Sequence, residues 1–309
     1  MPLESTALAR RPLLKRFSAE EGPISLSRRV LFAPLLALVA ASAAVIYQLR
    51  YVNPYRPVLE RITIPVPEGH AGLAGLRIGF LSDLHLGPTF DVVAVSQAVD
   101  VLAAERADLV LFGGDFISGS PRFIEPVARL LEDIAKGAPL GAYAVLGNHD
   151  VVNNPLRLVA ALEAVGITTL RNSAACVMVG SEALWLAGPD ESVMAHADLA
   201  ATWAGIPDGA AVIAIWHEPD RAAEVAARGA FVQLSGHTHG GQLRFPLVGA
   251  LVLPPGGQRY IEGRHDVNGM VLYVSRGAGV YRPPMRLNCP PEVTLVTLGP
   301  SIPSHEVQR

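Results

Sequence analysis

The stretch Gly236-His237-Thr238-His239-Gly240-Gly241-Gln242 places two histidines one residue apart among three glycines. It is a poor core segment, because an imidazole buried without partners is costly and glycine adds no side chain to the packing. Glycine lets the backbone turn sharply close to a ligand, and histidine is the commonest metal ligand. The apolar residues 231–235 before it are typical of a buried strand. The stretch is therefore a candidate metal site, provided that other segments supply further ligands.

Four other apolar runs also end on residues that bind metals. Residues 76–81, 108–112, 142–146 and 211–216 lead into Ser82-Asp83-Leu84-His85, Gly113-Gly114-Asp115, Gly147-Asn148-His149-Asp150 and His217-Glu218. Helical patterns at 92–105 and 123–136 separate the first three runs, which predicts an α/β protein. Because ligand sites of such sheets lie beyond the carboxyl ends of the strands, we expect the residues that follow these runs to share one sheet edge.

The strand ends supply only oxygen and nitrogen ligands: Asp83, His85, Asp115, Asn148, His149, His217, His237 and His239. This set suits two hard or borderline divalent ions such as Mn, Fe, Zn or Mg. Asp115 is the expected bridge between them, because it has no neighbouring ligand and a shared anion relieves the repulsion between two cations. Cys176 and Cys289 lie far apart and give no indication of a sulfur site.

The ordered blocks D-x-H, G-G-D, G-N-H-D, H and G-H-T-H resemble those of the calcineurin-like metallophosphoesterase family, from about residue 75 to residue 298. The resemblance implies a four-layer α/β/β/α sandwich. It also implies that Asp83, His85 and His239 bind one metal ion, that Asn148, His217 and His237 bind the other, and that Asp115 lies between them. His149 is expected to stabilise the leaving group rather than to bind metal. Either Asp150 or Asp83 would orient it.

The implied activity is hydrolysis of a phosphodiester or pyrophosphate bond by attack of a metal-activated hydroxide. A phosphomonoesterase or nuclease of the same fold is one alternative, and a non-catalytic metal-binding scaffold is another. The complete ligand set disfavours the scaffold. The chain also resembles a bacterial membrane-associated phosphodiesterase subgroup, which includes relatives of the hydrolases that cleave UDP-2,3-diacylglucosamine, so a lipid-linked substrate is one hypothesis.

Composition narrows the class of protein. Half of the 309 residues are hydrophobic and 17% are charged, which excludes a disordered chain. The net charge of −3 gives no reason to expect nucleic acid as the main partner, and it becomes more negative once the basic leader is set aside. Nothing in the sequence indicates an oligomeric state.

The N-terminal part predicts a membrane segment. Residues 30–49 contain no charge and are long enough to cross a bilayer, whereas residues 1–29 form a polar basic leader. Ser27-Arg28-Arg29 resembles a twin-arginine export signal, and Ala41-Ser42-Ala43 would permit cleavage, although an uncleaved anchor is favoured. The positive charge before the segment favours a cytoplasmic N-terminus in the inner membrane and a catalytic domain on the external or periplasmic side. A connector at 50–68, the domain at 69–300 and a tail at 301–309 complete the chain.

The apolar segment 245–255 directly after the histidine loop has two interpretations. It contacts an acyl chain or a membrane beside the metals, or it packs on the core, and the second is favoured. Arg244, Arg282 and Arg286 are candidates to bind a phosphate or carboxylate, with surface solvation as the alternative for each.

Overall fold

The computed structural model describes residues 26–301, with side chains from residue 32 onward. Helix α1 spans Leu26–Tyr47. In this part of the chain, one helical stretch, Phe32–Tyr55, is long and apolar enough to cross a membrane, with a mean hydropathy of 1.9. The helix begins before the predicted start at residue 30, because arginine is a good helix former and Arg28 and Arg29 extend it. Most of the predicted leader lies outside the described residues.

Six strands form the first sheet: β1 Val58–Pro65, β2 Arg77–Leu81, β3 Leu109–Phe112, β4 Ala142–Ala144, β5 Ile167–Thr169 and β14 Glu292–Gly299. Their order in space is β1-β14-β2-β3-β4-β5. β2 to β5 are parallel, β14 is antiparallel to β2, and β1 is parallel to β14. β1 therefore begins at the edge where β2, β3 and β4 end. We call this edge, together with the matching edge of the second sheet, the site edge.

The second sheet has six strands: β6 Ser173–Val179, β7 Glu182–Gly188, β8 Ala211–Ile215, β9 Val232–Ser235, β12 Gly263–Val267 and β13 Met270–Val274. Their order is β12-β13-β9-β8-β7-β6. The strands β7, β8, β9 and β13 are parallel, and β6 and β12 close the two edges in antiparallel fashion. A separate two-stranded hairpin consists of β10 Arg244–Phe245 and β11 Gly249–Ala250.

The remaining helices are α2 Val92–Ala103, α3 Ile124–Gly137, α4 Asn148–Val151, α5 Pro155–Ala164, α6 Leu199–Trp203 and α7 Ala222–Ala226. One apolar core lies between the two sheets and contains Phe80 and Ile213. A second core joins α2, α3 and α5 to the first sheet, and a third joins α6 and α7 to the second sheet. The predicted α/β/β/α sandwich is therefore confirmed.

Several boundaries differ from the sequence-based expectation. β1 belongs to the first sheet although it falls within the predicted connector at 50–68, because it pairs with β14 along its whole length and buries Ile64. The segment after β8 forms only the short helix α7, since the Asp220 carboxylate accepts hydrogen bonds from three backbone N–H groups of residues 258–260. β12 and the β10–β11 hairpin are additional elements.

Candidate metal centre

The site edge gathers every side chain that the sequence singled out as a ligand. The loops after β2, β3, β4, β8 and β9 carry them, so both sheets contribute. Their histidine nitrogens and carboxylate oxygens form three overlapping groups, and the ligand atoms of each group lie within 4.8 Å of one another. The groups are Asp83, His85 and His239; His85, Asp115 and His149; and Asp115, His217 and His237. Asp115 belongs to two of these groups.

The first group has one carboxylate and two imidazoles. The Nε2 atom of His239 lies 2.9 Å from the Nε2 atom of His85 and 3.5 Å from Oδ1 of Asp83. The Nε2 atom of His85 lies 4.0 Å from the same carboxylate oxygen. Three lone pairs thus converge on one small volume, as a divalent cation requires.

The second group is centred on Asp115. Its Oδ2 atom lies 3.2 Å from Nε2 of His217 and 3.4 Å from Nε2 of His85, so one carboxylate oxygen faces both histidines. His237 completes this group. Asn148 is the first residue of α4 and lines the same cavity as Asp115 and His237.

The residues fit a metal centre by an independent criterion. Buried polar atoms normally have a hydrogen-bond partner. Here the side-chain atoms Asn148 Oδ1, His217 Nε2 and His239 Nδ1 are buried and have none. Asn148 Oδ1 and His217 Nε2 are expected ligand atoms of one metal ion. A cation can accept a lone pair from both an amide oxygen and an imidazole nitrogen.

Three of the four histidines expected to bind metal are held by their other ring nitrogen. The second ring nitrogen of His217 donates to the carbonyl of Gly113 over 2.7 Å, and that of His237 donates to the carbonyl of Pro255 over 2.8 Å. Nδ1 of His85 lies 2.6 Å from the hydroxyl of Ser118. Such contacts fix the tautomer and ring orientation of a metal ligand. They leave Nε2 of His85 and His217 and Nδ1 of His237 to face the centre.

Electrostatics favour a cation at this place. Burial lowers the pKa of His85 to about 3 and also lowers the pKa values of His237 and His239, so these imidazoles are neutral with free lone pairs. Burial also acts to lower the pKa of His217, but the Asp115 carboxylate outweighs it and holds that pKa well above its usual value. The negative potential around Asp115 therefore attracts positive charge.

The loops that present the ligands have an uncommon backbone conformation. Asp83, His85, Asp115, His237 and His239 all have φ between 49° and 71°. Non-glycine residues adopt this left-handed region at a cost, and they cluster at functional sites where the surrounding structure enforces it. A Cβ at Gly236 would lie 2.2 Å from Oδ2 of Asp83, which explains a glycine next to the first histidine.

Asp150 is the residue that holds these loops together. Its carboxylate accepts hydrogen bonds from the backbone N–H groups of Asp115, Phe116, Ile117 and Gly147. The expectation that Asp150 or Asp83 orients the His149 ring has no counterpart among the described hydrogen bonds, because both carboxylates are occupied by other donors. Asp83 accepts from the hydroxyl of Ser82 and from the N–H of His237.

His149 lies at the mouth of the centre. Its backbone N–H donates to Oδ1 of Asp115 over 2.9 Å, and its ring centroid is 5.0 Å from that of His85. The ring of Tyr281, a residue that sequence reasoning did not single out, lies 4.5 Å from it. Gln242 holds Tyr281 through hydrogen bonds to both its N–H and its carbonyl. His149 thus has a side chain free to meet a substrate.

A cavity of about 700 Å³ opens above the ligands. Its lining includes His149, Gln242, Tyr281 and Arg282 as well as the apolar residues Leu251, Val252 and Leu253. The favoured interpretation of segment 245–255 as core packing is wrong for most of it. Leu247, Val248, Leu251 and Val252 are exposed, and the β10–β11 hairpin that begins this segment pairs with neither sheet.

The three candidate arginines have different environments. Arg286 is fully buried and donates to backbone carbonyls, among them those of Arg276, Gly277 and Gly279. Arg244 forms an ion pair with Glu262. Arg282 is exposed on the cavity wall. Of the three, Arg282 is the one placed to meet an anionic substrate.

Comparisons with known proteins agree with this geometry. Residues 76–241 match the family model of the calcineurin-like phosphoesterases. The chain is 30% identical to the uncharacterized metallophosphoesterase YkuE of Bacillus subtilis over 256 residues, 81% of this chain and 88% of that protein. It is also 30% identical to the phosphodiesterase YaeI of Escherichia coli over 286 residues, 88% of this chain and 99% of that protein.

A vertebrate relative has the same domain in a membrane protein. The transmembrane protein with metallophosphoesterase domain of Danio rerio is 30% identical over 297 residues, which cover 91% of this chain and 65% of that protein. The family model covers more than half of the chain and spans all five ligand blocks. The chain therefore belongs to the calcineurin-like phosphoesterases, which are metal-dependent hydrolases of phosphoric esters.

Proposed function

We propose that the protein is a phosphodiesterase with two divalent metal ions that acts on a diester or pyrophosphate, in particular a lipid-linked one. The observation that carries the proposal is the position of the Asp115 carboxylate, one oxygen of which faces both His85 and His217. A single carboxylate between two sets of donors is what a two-metal centre requires, whereas a single-metal site would need no second group.

The ligand assignment follows the two groups. Asp83, His85 and His239 would hold one ion, and Asn148, His217 and His237 would hold the other, with Asp115 shared. Mn, Fe, Zn and Mg all suit oxygen and imidazole donors of this kind. Two such ions supply a water of lowered pKa and positive charge for the phosphoryl oxygens.

The side chains of the protein complete the reaction. His149 stands at the cavity mouth beside Asp115, where a protonated ring can give its proton to the departing alkoxide. Arg282 supplies a positive charge on the cavity wall for a phosphoryl or carboxylate group. The buried carboxylate of Asp150 binds the loops after β3 and β4 to each other, and Asp115 and Asn148 of these loops line one cavity.

The apolar wall supports a lipid-linked substrate. Leu251, Val252 and Leu253 line the same cavity as the ligands, and two of them are largely exposed. An enzyme for small water-soluble esters gains nothing from exposed leucine and valine beside its metals, whereas an acyl chain would cover them. A substrate such as UDP-2,3-diacylglucosamine has both the pyrophosphate and the acyl chains that this cavity suits. The name of the relative YaeI, a phosphodiesterase, agrees with the diester class.

We further propose that residues 30–49 anchor the protein in the inner membrane and that the domain lies on the external or periplasmic side. The long apolar stretch near the N-terminus and the relatives described as transmembrane proteins support the anchor. The basic leader before the segment supports the orientation. Protease treatment of spheroplasts tests it: degradation of the domain without lysis is expected, and protection until lysis would reverse the assignment.

One experiment separates the candidate activities. The full chain in detergent, loaded with Mn²⁺, is assayed on bis(4-nitrophenyl) phosphate, 4-nitrophenyl phosphate, single-stranded DNA and UDP-2,3-diacylglucosamine. We expect the diester and the pyrophosphate to be cleaved at least about tenfold faster than the monoester. A faster monoester would indicate a phosphomonoesterase, cleavage of DNA a nuclease, and two bound metals without turnover a scaffold.

A further inference from the structure

The exposed large hydrophobic residues of the domain are not scattered over its surface. Among the described residues after 57, all but one of them lie at the site edge: Val58, Val92, Val93, Val152, Leu156, Val193, Met194, Phe245, Leu247, Val248, Leu251, Val252 and Tyr281. The exception is Met178. We call this set the apolar face. A soluble surface carries single exposed hydrophobic residues, whereas a concentration on one side marks an interaction surface.

The members of the face come from separate parts of the chain. Val92 and Val93 begin α2, Val152 follows α4, and Val193 lies in the loop after β7. The tip of the β10–β11 hairpin adds the most prominent member, Leu247, whose side chain is fully exposed. Because these loops all follow strands that end at the site edge, the face surrounds the opening of the metal centre. Several loops that are separate in the sequence all expose apolar side chains here, which indicates one large partner.

At the hairpin tip, a large apolar side chain is exposed on a backbone conformation that is itself unfavourable. Leu247 has φ 67°, in the left-handed region that glycine or asparagine normally occupies in a turn. A leucine there is disfavoured by its backbone and, because it contacts water, by its side chain as well. A partner that covers the side chain removes the second cost and can offset the first.

The path of the chain identifies the partner. The segment that follows α1 enters the domain at the site edge, since β1 begins there. The carbonyl of Leu49 accepts from the N–H of Arg286, and the side chain of Asn53 donates to the carbonyl of Arg286 over 2.8 Å. The next residue, Leu287, accepts from the N–H of Arg244 at the base of the hairpin. The residues next to the membrane segment and the hairpin therefore share one small contact region.

Positive charge accompanies this region. Arg56 and Arg282 are exposed, and Arg56 lines the same cleft as Asn288, whose side chain donates to the carbonyl of Arg244. Arginine beside an apolar surface suits the boundary between acyl chains and anionic lipid headgroups. A protein partner would explain the hydrophobic residues equally well, but it would not explain why they surround the point where the chain arrives from its membrane segment.

We infer that the apolar face docks onto the bilayer that residues 30–49 cross, with the tip of the β10–β11 hairpin inserted among the lipids and the metal centre facing the membrane. The inference rests on the proposed membrane anchor. It deepens the proposed function, because a lipid-linked phosphoester would reach the metals without leaving the bilayer. It also implies that water-soluble diesters enter only through the gap between the domain and the lipid surface.

The test measures lipid contact directly. The full chain with Cys176→Ser and Leu247→Cys is labelled with a nitrobenzoxadiazole probe and placed, one copy per disc, in nanodiscs of phosphatidylethanolamine and phosphatidylglycerol. Lipids with a nitroxide on the acyl chain are the quencher. Met178→Cys is the matched control, because Met178 is also exposed but pairs with Ala183 at the opposite end of the second sheet.

We expect several-fold stronger quenching of the probe at 247 than at 178, with a blue-shifted emission at 247. Equal, weak quenching at both positions would overturn the inference, and so would a blue shift that appears only when two copies share a disc, since the partner would then be a second copy. If acyl chains of the substrate were the sole occupant, the probe at 247 would stay unquenched and its emission would shift to the blue only after substrate is added, which also contradicts docking.

Activity gives a second readout. Leu247→Glu and Val248→Glu change residues outside the cavity wall. We expect the double variant to turn over bis(4-nitrophenyl) phosphate at least as fast as the wild-type protein, because undocking widens the gap. It should lose about tenfold or more on a lipid-linked diester in the same membrane, whereas Met178→Glu changes neither. Equal loss on both substrates would contradict docking. If the wild-type protein hydrolyses no ester, the proposed function fails while the quenching result still stands.

Discussion

The Oδ2 atom of Asp115 lies 3.2 Å from Nε2 of His217, at the point where the two sheets meet over the site edge. Asp115 follows β3 of the first sheet and His217 follows β8 of the second, so this contact joins loops from the two sheets. The metal centre is therefore a product of the sheet-to-sheet packing, and changes at either residue report on both the chemistry and the fold.

Asp115→Asn should lower the activity by more than about 100-fold, because an amide cannot bring a negative charge to two cations. Metal analysis of the purified variant should show about one equivalent or less instead of two. Asp208→Asn, an exposed aspartate far along the chain, serves as the matched control and should retain both metals and full activity. Two equivalents of metal and undiminished turnover in Asp115→Asn would contradict the bridging role.

Asp150→Asn should weaken metal binding by about 10- to 100-fold, although Asp150 itself binds no metal in this assignment. The carboxylate accepts four backbone N–H groups, and an amide can place only one oxygen among them. The metal-free variant should also lose about 1–3 kcal/mol of the free energy of unfolding, because buried donors lose their acceptor. Titration calorimetry with Mn²⁺ and urea unfolding measure the two effects. Unchanged values in both would assign the loop geometry to other contacts.

His149→Ala should reduce kcat by about 10² to 10⁴ on a diester with an alkyl leaving group and leave the metal content unchanged. The loss should be much smaller on a 4-nitrophenyl diester, because nitrophenolate departs without a proton. Comparison of the two substrates thus separates a proton donor from a metal ligand. Equal losses on both substrates, or loss of one metal, would instead make His149 a ligand, which its distance to His85 and Asp115 permits.

The sequence allowed the α/β/β/α sandwich to be predicted, and the residues that it singled out as ligands come together at the site edge. Short motifs at the ends of apolar strands can be recognised from a few neighbouring residues, and the order of these motifs in the chain indicates the protein family. Residues that act through distant contacts had no such signal. Tyr281 reaches His149 only because Gln242 and the loop after β13 hold it there, and Ser118 reaches His85 across the β2 and β3 loops.

The apolar hairpin shows a different limit of sequence reasoning. A run of leucine and valine is compatible with a buried segment or with an exposed one, because hydrophobicity alone does not determine whether a side chain packs against other residues. Only the structure shows that β10 and β11 pair with each other and with neither sheet. The left-handed conformations of Asp83, His85 and Asp115 likewise have only a weak signal in residue type, since aspartate and histidine adopt them more often than other non-glycine residues but still rarely.

Stability should fall in alkaline solution through Tyr273. Its buried hydroxyl donates to Glu292 over 2.7 Å, and burial together with that carboxylate raises the pKa of Tyr273 well above its usual value. The unfolded chain then loses the tyrosine proton at about pH 10 while the folded chain keeps it, so the contribution of this residue is complete below pH 10 and is lost above it. Tyr273→Phe should therefore unfold with a shallower dependence on pH above 10. An identical slope for both proteins, measured by urea unfolding, would assign the effect to other groups.

Removal of metal should destabilise the fold as well as abolish turnover. Five ligand residues have left-handed backbone conformations, and a dense set of neutral imidazoles and carboxylates faces one small volume. Metal bound only to the folded state adds about 2.7 kcal/mol at a free concentration of 100 times Kd, which a thermal melt detects as a rise in Tm. Chelation should reverse this rise, and Mn²⁺ should restore both Tm and activity. Asp115→Asn should show a smaller rise than the wild-type protein, because it retains one group of ligands, and a rise of the same size would contradict a shared carboxylate.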